Sequence, residues 1–210
     1  MDTSVYHALN NFAFHHAWVA GIARFFAQDA VFVLIGGFAL LWLIRTPRGW
    51  LLNQGSRVAI FAGALATILG LLIVQGINQV WARQRPFVVL HHFHKLIAHP
   101  ADASFPSDHV TGSAALAVAL MLFGRVRMGL AALTVSVLIG VARIMVGVHW
   151  PTDILGGIGI GAIAAALIWV PRGPIGRLAG WCSAAYERVL LALLGALERL
   201  PHPGGHRAGT

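Results

Sequence analysis

The chain has 210 residues, of which 58% are hydrophobic and 10% charged, with a formal net charge of +8. Soluble domains carry about 25% charged residues, so this composition excludes an ordinary soluble enzyme. The basic residues sit mostly in short loops between apolar runs, which makes them a topology signal rather than a nucleic-acid signal. The single cysteine, Cys182, excludes an intrachain disulfide.

Residues 4–24 mix Val5, Tyr6, Leu9, Phe12, Phe14, Trp18 and Ile22 with Asn10, Asn11, His15 and His16. That is too polar to span a bilayer and predicts an interfacial helix within 1–24. The start lacks a basic n-region, so no cleavable signal peptide is expected. Apolar runs near the length of a bilayer-crossing helix then recur. They predict spans at about Phe25–Ile44, Val58–Trp81, Pro106–Phe123, Gly129–Val148 and Thr152–Val170. The fold class expected is all-α: a polytopic membrane bundle of about five transmembrane helices in one domain over 25–170. Gly156, Gly157, Gly159 and Gly161 are expected to let the last span pack closely. Residues 171–200, carrying Glu187, Arg188, Glu198 and Arg199, read as an amphipathic C-terminal segment, with a sixth span as the alternative. Residues 201–210 read as a disordered tail.

Charge orients the bundle. Arg45, Arg48, Arg57, Arg125, Arg127, Arg172 and Arg177 fall in loops on one side, and those loops contain no Asp or Glu. The positive-inside rule makes that side cytoplasmic. Three polar islands fall on the other side: Arg83-Gln84-Arg85-Pro86-Phe87, Phe105-Pro106-Ser107-Asp108-His109, and Arg143 to Asp153. They are expected to meet at the outer face of a cytoplasmic membrane.

Together the islands supply the parts of a phosphate-handling site. Ionisable groups at span ends are costly to bury and are functional candidates by default. A helix opening at Pro106 would leave the amides of Ser107, Asp108 and His109 unpaired, an anion site reinforced by the helix dipole. Arg85 and Arg143 can grip phosphate oxygens through bidentate forks. His149 lies four residues before Asp153. A carboxylate there can hold the Nδ1 proton and leave Nε2 free to attack, with His109 as the acid for the departing oxygen. No cysteine pair, metal cage or Walker glycine loop is present. His91, His92, His94 and His99 with Lys95 read as an outer loop touching headgroups or substrate rather than as metal ligands. The tryptophans read as an interfacial belt.

Arg85-Pro86, then Pro106-Ser107-Asp108-His109, then Arg143-x5-His149-x3-Asp153 resemble the type 2 phosphatidic acid phosphatase superfamily over about residues 25–170. The fuller string Ser104 to His109 resembles its bacitracin-resistance-type undecaprenyl pyrophosphate phosphatase branch. The resemblance implies a metal-independent phosphatase without cofactor, with His149 as nucleophile, Asp153 as its orienter and His109 as acid/base. It implies Arg85, Ser107 and Arg143 as phosphate ligands. The family's opening Lys is Asn78 here, which can still donate a hydrogen bond, and Arg83 is the candidate to replace the lost charge. The family's Gly before His109 is Asp108, and the Ser before Arg143 is Ala142. The function expected is hydrolysis of undecaprenyl pyrophosphate to undecaprenyl phosphate and phosphate through a phosphohistidine. Alternatives are a phosphatidylglycerol phosphate or phosphatidic acid phosphatase, a lipid phosphotransferase, and, in a different class, a non-catalytic lipid carrier. The partner expected is a lipid in the bilayer, and no nucleic acid.

Overall fold

The structure is a computed structural model that describes residues 2–46 and 49–198. It is all-helical apart from one small hairpin. The order is α1 (Asp2–His15), α2 (Ala17–Gln28), α3 (Ala30–Leu43), β1 (Arg45–Thr46), β2 (Gly49–Trp50), α4 (Gln54–Val80), α5 (Pro86–Val89), α6 (Asp108–Leu122), α7 (Val126–Met145), α8 (Pro151–Trp169) and α9 (Arg172–Glu198). Three helices, α4, α7 and α8, are long and apolar enough to cross a membrane, and α2 with α3, bent by 49°, has the length and apolarity of a fourth when the pair is taken as one span.

The helix α6 has only 15 residues, about 22 Å at 1.5 Å per residue, and falls short of the expected span length. It compensates by position: it is the core of the bundle, enclosed by α4, α7 and α8. Its sequence suits that place. Lipid tails are as apolar as side chains, so helices in membranes associate through close packing of small residues. Ala114, Ala115, Ala117 and Ala119 are all fully buried. The facing α8 contributes Gly161, where a Cβ would come 2.7 Å from the Thr111 carbonyl. Gly156 and Gly157 likewise face Phe105 and Val110, whereas Gly159 has open space beside it. Two of the four expected packing glycines, Gly157 and Gly161, therefore sit at a contact with α6, and Gly156 packs on the loop residue Phe105.

Helix boundaries in the N-terminal region differ from the sequence expectation. His16 adopts an extended conformation (φ −126°, ψ 96°) and separates α1 from α2. The first crossing thus begins at Ala17, with Ala20, Ala23 and Ala27 buried on the side that meets α7. The helix α1 is also not a free interfacial helix. Tyr6, Asn10 and Ala13 are fully buried, and α1 packs on α7, α2 and α8. Of the polar residues that made this stretch look interfacial, Asn10 is used internally, whereas Asn11, His15 and His16 are exposed. Asn10 donates to the carbonyls of His94 (2.7 Å) and Met145 (2.9 Å) and accepts from the His94 amide (2.9 Å).

At the other end, Arg45, Arg57, Arg125, Arg172 and Arg177 lie at helix termini and in the hairpin. Arg57 is buried between the rings of Trp42 (4.2 Å) and Trp50 (3.8 Å), so the hairpin is fastened by cation–π stacking. The expected break at 171–177 is absent: α9 runs unbroken from Arg172. At 27 residues it is long enough to cross, but its composition keeps it out of the helices apolar enough to do so. Its Glu187 pairs with Arg45 (3.4 Å), and Tyr186 donates to the Leu43 carbonyl (3.3 Å). The tail expected at 201–210 lies outside the described residues.

Candidate active site

The bundle alternates direction, so the C-termini of α4 and α7 and the N-termini of α6 and α8 share one end, which Ala27 near the end of α2 meets through Arg143. The connection 81–107 folds across that end. The structure thereby brings the three polar islands together, as their place at span ends implied.

His149 is at the centre, 2% exposed in the turn between α7 and α8. That turn is held by Gly147 at φ +88°, a left-handed conformation that favours glycine. A Cβ there would also press on the His94 carbonyl at 2.5 Å. The Nε2 atom of His149 accepts from Arg143 Nη2 at 3.1 Å and from Arg85 Nη1 at 3.2 Å. Guanidinium groups only donate, so Nε2 carries its lone pair and the proton is on Nδ1. Nδ1–H points at the Ser104 carbonyl (2.9 Å) and at Asp153 Oδ2 (3.3 Å). The orienting carboxylate expected from sequence is present, and it shares the task with a backbone carbonyl. Burial first, then the positive charge of Arg143 and Arg85, holds His149 well below the ordinary imidazole value. It stays neutral at physiological pH.

Asp153, third in α8 and fully buried, is itself fixed. Its Oδ2 accepts from the Trp150 amide at 2.8 Å, capping the helix, and from the Ser104 hydroxyl. Its Oδ1 pairs with Arg83 Nη1 at 2.7 Å. This relocates Arg83, which was expected at the phosphate. It stands behind the carboxylate, donating also to Thr152 Oγ1 (2.6 Å) and to Asp2 Oδ2 (2.8 Å). Although only two residues apart in an irregular segment, Arg83 and Arg85 therefore reach different partners.

Arg85 and Arg143 are the two guanidiniums that meet at His149, and each is 4% exposed or less. Arg85 also donates to the carbonyls of Val148 and Ala103 (both 2.9 Å) and to Asp102 Oδ1 (2.8 Å). Arg143 donates to Ala27 O (3.0 Å) and contacts His99 Nε2 (2.9 Å), while its Nε is buried without a partner. Ser107 is the N-cap of α6, and its buried hydroxyl has no partner. The amide of Ser107, expected to be free, instead donates to the Asp153 carbonyl at 3.2 Å and locks α6 to α8. Only the amides of Asp108 and His109 remain for an anion. Asp108 is exposed at the start of α6, with Arg85 and Arg143 among its charged neighbours. His109 is half-buried near Phe32 (rings 6.2 Å apart); its charged neighbours are Arg143, Arg85 and His99. No hydrogen bond joins His109 to His149. Asn78, near the end of α4, has its Oδ1 buried without a partner and joins none of these groups.

Among the described residues, no group of three His, Cys, Asp or Glu side chains is placed to hold a metal. The histidine loop is divided: His91 and His92 are exposed, His94 stacks on Phe14 (3.6 Å), and His99 reaches the site. Asp102 and Ser104 are site residues that sequence reasoning did not assign, and His99, expected only in a loop touching headgroups or substrate, contacts Arg143.

The profile of the PAP2 superfamily matches residues 59–174. The chain is 33% identical to undecaprenyl-diphosphatase BcrC of Bacillus subtilis over 80% of this chain and 83% of that protein. It is 30% identical to putative undecaprenyl-diphosphatase YbjG of Escherichia coli, over 82% and 85%. Among solved structures, LpxE of Aquifex aeolicus superposes with a TM-score of 0.65 at 22% identity, covering 80% of this chain and 93% of that one. At this identity the likeness shows the fold alone.

Proposed function

The chain belongs to the PAP2 superfamily, and from that premise we propose that it hydrolyses undecaprenyl pyrophosphate to undecaprenyl phosphate and inorganic phosphate. Two relatives that match four fifths of its length carry the name undecaprenyl-diphosphatase. The observation that carries the chemistry is the unprotonated Nε2 of His149, held from behind at Nδ1 and flanked by two buried guanidiniums. A nucleophile with its lone pair exposed between two cations is arranged for a phosphoryl group, whose charge sits on its equatorial oxygens.

The prenyl chain stays in the bilayer while the headgroup enters from the end where the islands meet, the outer face of the cytoplasmic membrane. His149 Nε2 attacks the terminal phosphorus in line. The bond to the bridging oxygen breaks, and undecaprenyl phosphate leaves with a proton from His109. Arg85 and Arg143 bind the equatorial oxygens, and the Ser107 hydroxyl and the first amides of α6 add donors. Water, deprotonated by His109, then attacks the phosphohistidine. Phosphate is released and His149 is restored. Arg83 and Asp153 position the nucleophile. The dense arginine end lies in the cytoplasm.

Phosphate release by purified protein in detergent tests this reading, with undecaprenyl pyrophosphate offered beside phosphatidylglycerol phosphate and phosphatidic acid. The reading expects release mainly from the prenyl pyrophosphate, abolished in His149→Ala. Release mainly from a glycerolipid overturns the substrate; release that survives His149→Ala overturns the mechanism.

A further inference from the structure

The two arginines at His149 are each engaged by one side chain of the same short stretch, His99-Pro100-Ala101-Asp102. Asp102 Oδ1 takes Arg85 Nε at 2.8 Å, and His99 Nε2 lies 2.9 Å from Arg143 Nη2. The same Arg143 nitrogen lies 3.1 Å from His149 Nε2. One N–H-bearing atom therefore bridges two imidazoles, whose ring centres are 6.4 Å apart. His99 Nδ1 is spoken for: the Pro100 carbonyl is 3.1 Å away and Asp102 Oδ1 3.7 Å. Nε2 is thus the atom that His99 turns toward the site. It shares with His149 Nε2 the same Arg143 nitrogen, which sets it beside the attacking atom.

We propose that His99 is a substrate-binding residue, its Nε2–H donating to an oxygen of the headgroup phosphate while the Pro100 carbonyl holds the ring from Nδ1. This rests on the reading that His149 attacks, and transfers, a lipid-borne phosphoryl group. Burial and the two arginines lower His99 below the ordinary imidazole value against the pull of the Pro100 carbonyl and Asp102, and Nε2 accepts from Arg143. An arriving phosphate dianion offsets both arginines. His99 then takes up a proton from solvent, Arg143 turns its N–H to the phosphate, and Nε2–H becomes a charge-assisted donor. The arrangement supplies a cationic ligand in a chain whose α4 carries Asn78 in place of a cation. The donor comes from the loop that crosses the site instead of from a helix.

The test compares His99→Ala and His99→Gln with the wild type in two assays. In phosphate release, both variants are expected to raise KM for undecaprenyl pyrophosphate about tenfold, the scale of one charge-assisted hydrogen bond, with kcat changed less than about threefold. Orthovanadate, a mimic of the phosphoryl group alone, is offered to the purified protein and its binding read as a thermal shift. The variants are expected to need about tenfold more vanadate for the same shift. Wild-type KM and wild-type vanadate response in both variants overturn the proposal. If wild type releases no phosphate from any lipid yet binds vanadate, the substrate reading fails and the vanadate comparison alone decides His99. Should His99→Ala fail to fold, His99→Gln keeps a side chain of similar reach and carries the test.

Discussion

Arg83 and Asp153 are joined at 2.7 Å through the carboxylate oxygen that His149 does not use. The other oxygen takes the Trp150 amide, the Ser104 hydroxyl and the histidine. One carboxylate thus receives a guanidinium on one side and the His149 imidazole on the other. Asp2 of α1 closes the far side of Arg83 at 2.8 Å and accepts from the Thr152 amide at 3.1 Å. The first residue described in the chain thereby braces the site through two intermediaries.

From this chain of contacts, Arg83 acts on geometry and not on substrate affinity. Arg83→Gln is expected to lower kcat about tenfold through a displaced nucleophile, with KM nearly unchanged. A phosphate ligand would give the opposite split, a raised KM. Steady-state kinetics with undecaprenyl pyrophosphate distinguishes the two, and Arg83→Lys is expected to recover part of kcat.

Removing a guanidinium that meets the transferred group has a different signature. Arg143→Ala is expected to lower kcat by about 10²- to 10³-fold, the scale of losing one donor aimed at developing charge. Asp153→Asn is expected to cost about 10³-fold or more, because an amide no longer holds the Nδ1–H tautomer. Both are read from initial rates at saturating lipid.

The pH profile follows from His149. An ordinary histidine titrates near pH 6.5; this one is lowered by burial and by Arg143 and Arg85. A lowered value keeps the free base present at lower pH, so the acid limb of kcat/KM belongs below pH 6.5. Arg85→Gln removes one of the cations, which moves the limb upward toward the ordinary value while reducing the rate. A limb above pH 6.5 in the wild type would contradict the geometry around Nε2.

Asn10 tests the seat of α1. It is fully buried and makes three hydrogen bonds to the backbone of His94 and Met145. Asn10→Ala leaves those groups unpaired and is expected to destabilise the protein by about 2 kcal/mol or more, seen as a lower melting midpoint in detergent. An α1 that merely lay on the membrane surface would leave the midpoint unchanged.

Much of the site was legible because the sequence alternates apolar runs with polar islands. Three islands at alternate span ends had to share one end, and the four-residue spacing from His149 to Asp153 set their pairing. The rest depended on how residues 81–107 cross that end, where no periodicity guides a reading. His99, Asp102 and Ser104 gain their roles only from that route. Arg83 is two residues from Arg85 yet points to another partner for the same reason. Polarity misled at the N-terminus: Asn10 and Tyr6 look like surface residues in the sequence but are buried against α7 and the crossing loop. Length misled at α6, where neighbouring helices provide the apolar surroundings that a longer span finds in lipid.

The central claim is that His149 carries the phosphoryl group. The most direct measurement is rapid acid-free quenching of the enzyme with undecaprenyl pyrophosphate labelled in the terminal phosphate, followed by mapping of protein-bound label. The account predicts label on His149, stable to alkali and lost in acid, and absent from His149→Ala. Undiminished phosphate release with no label on the protein at any quench time would contradict it.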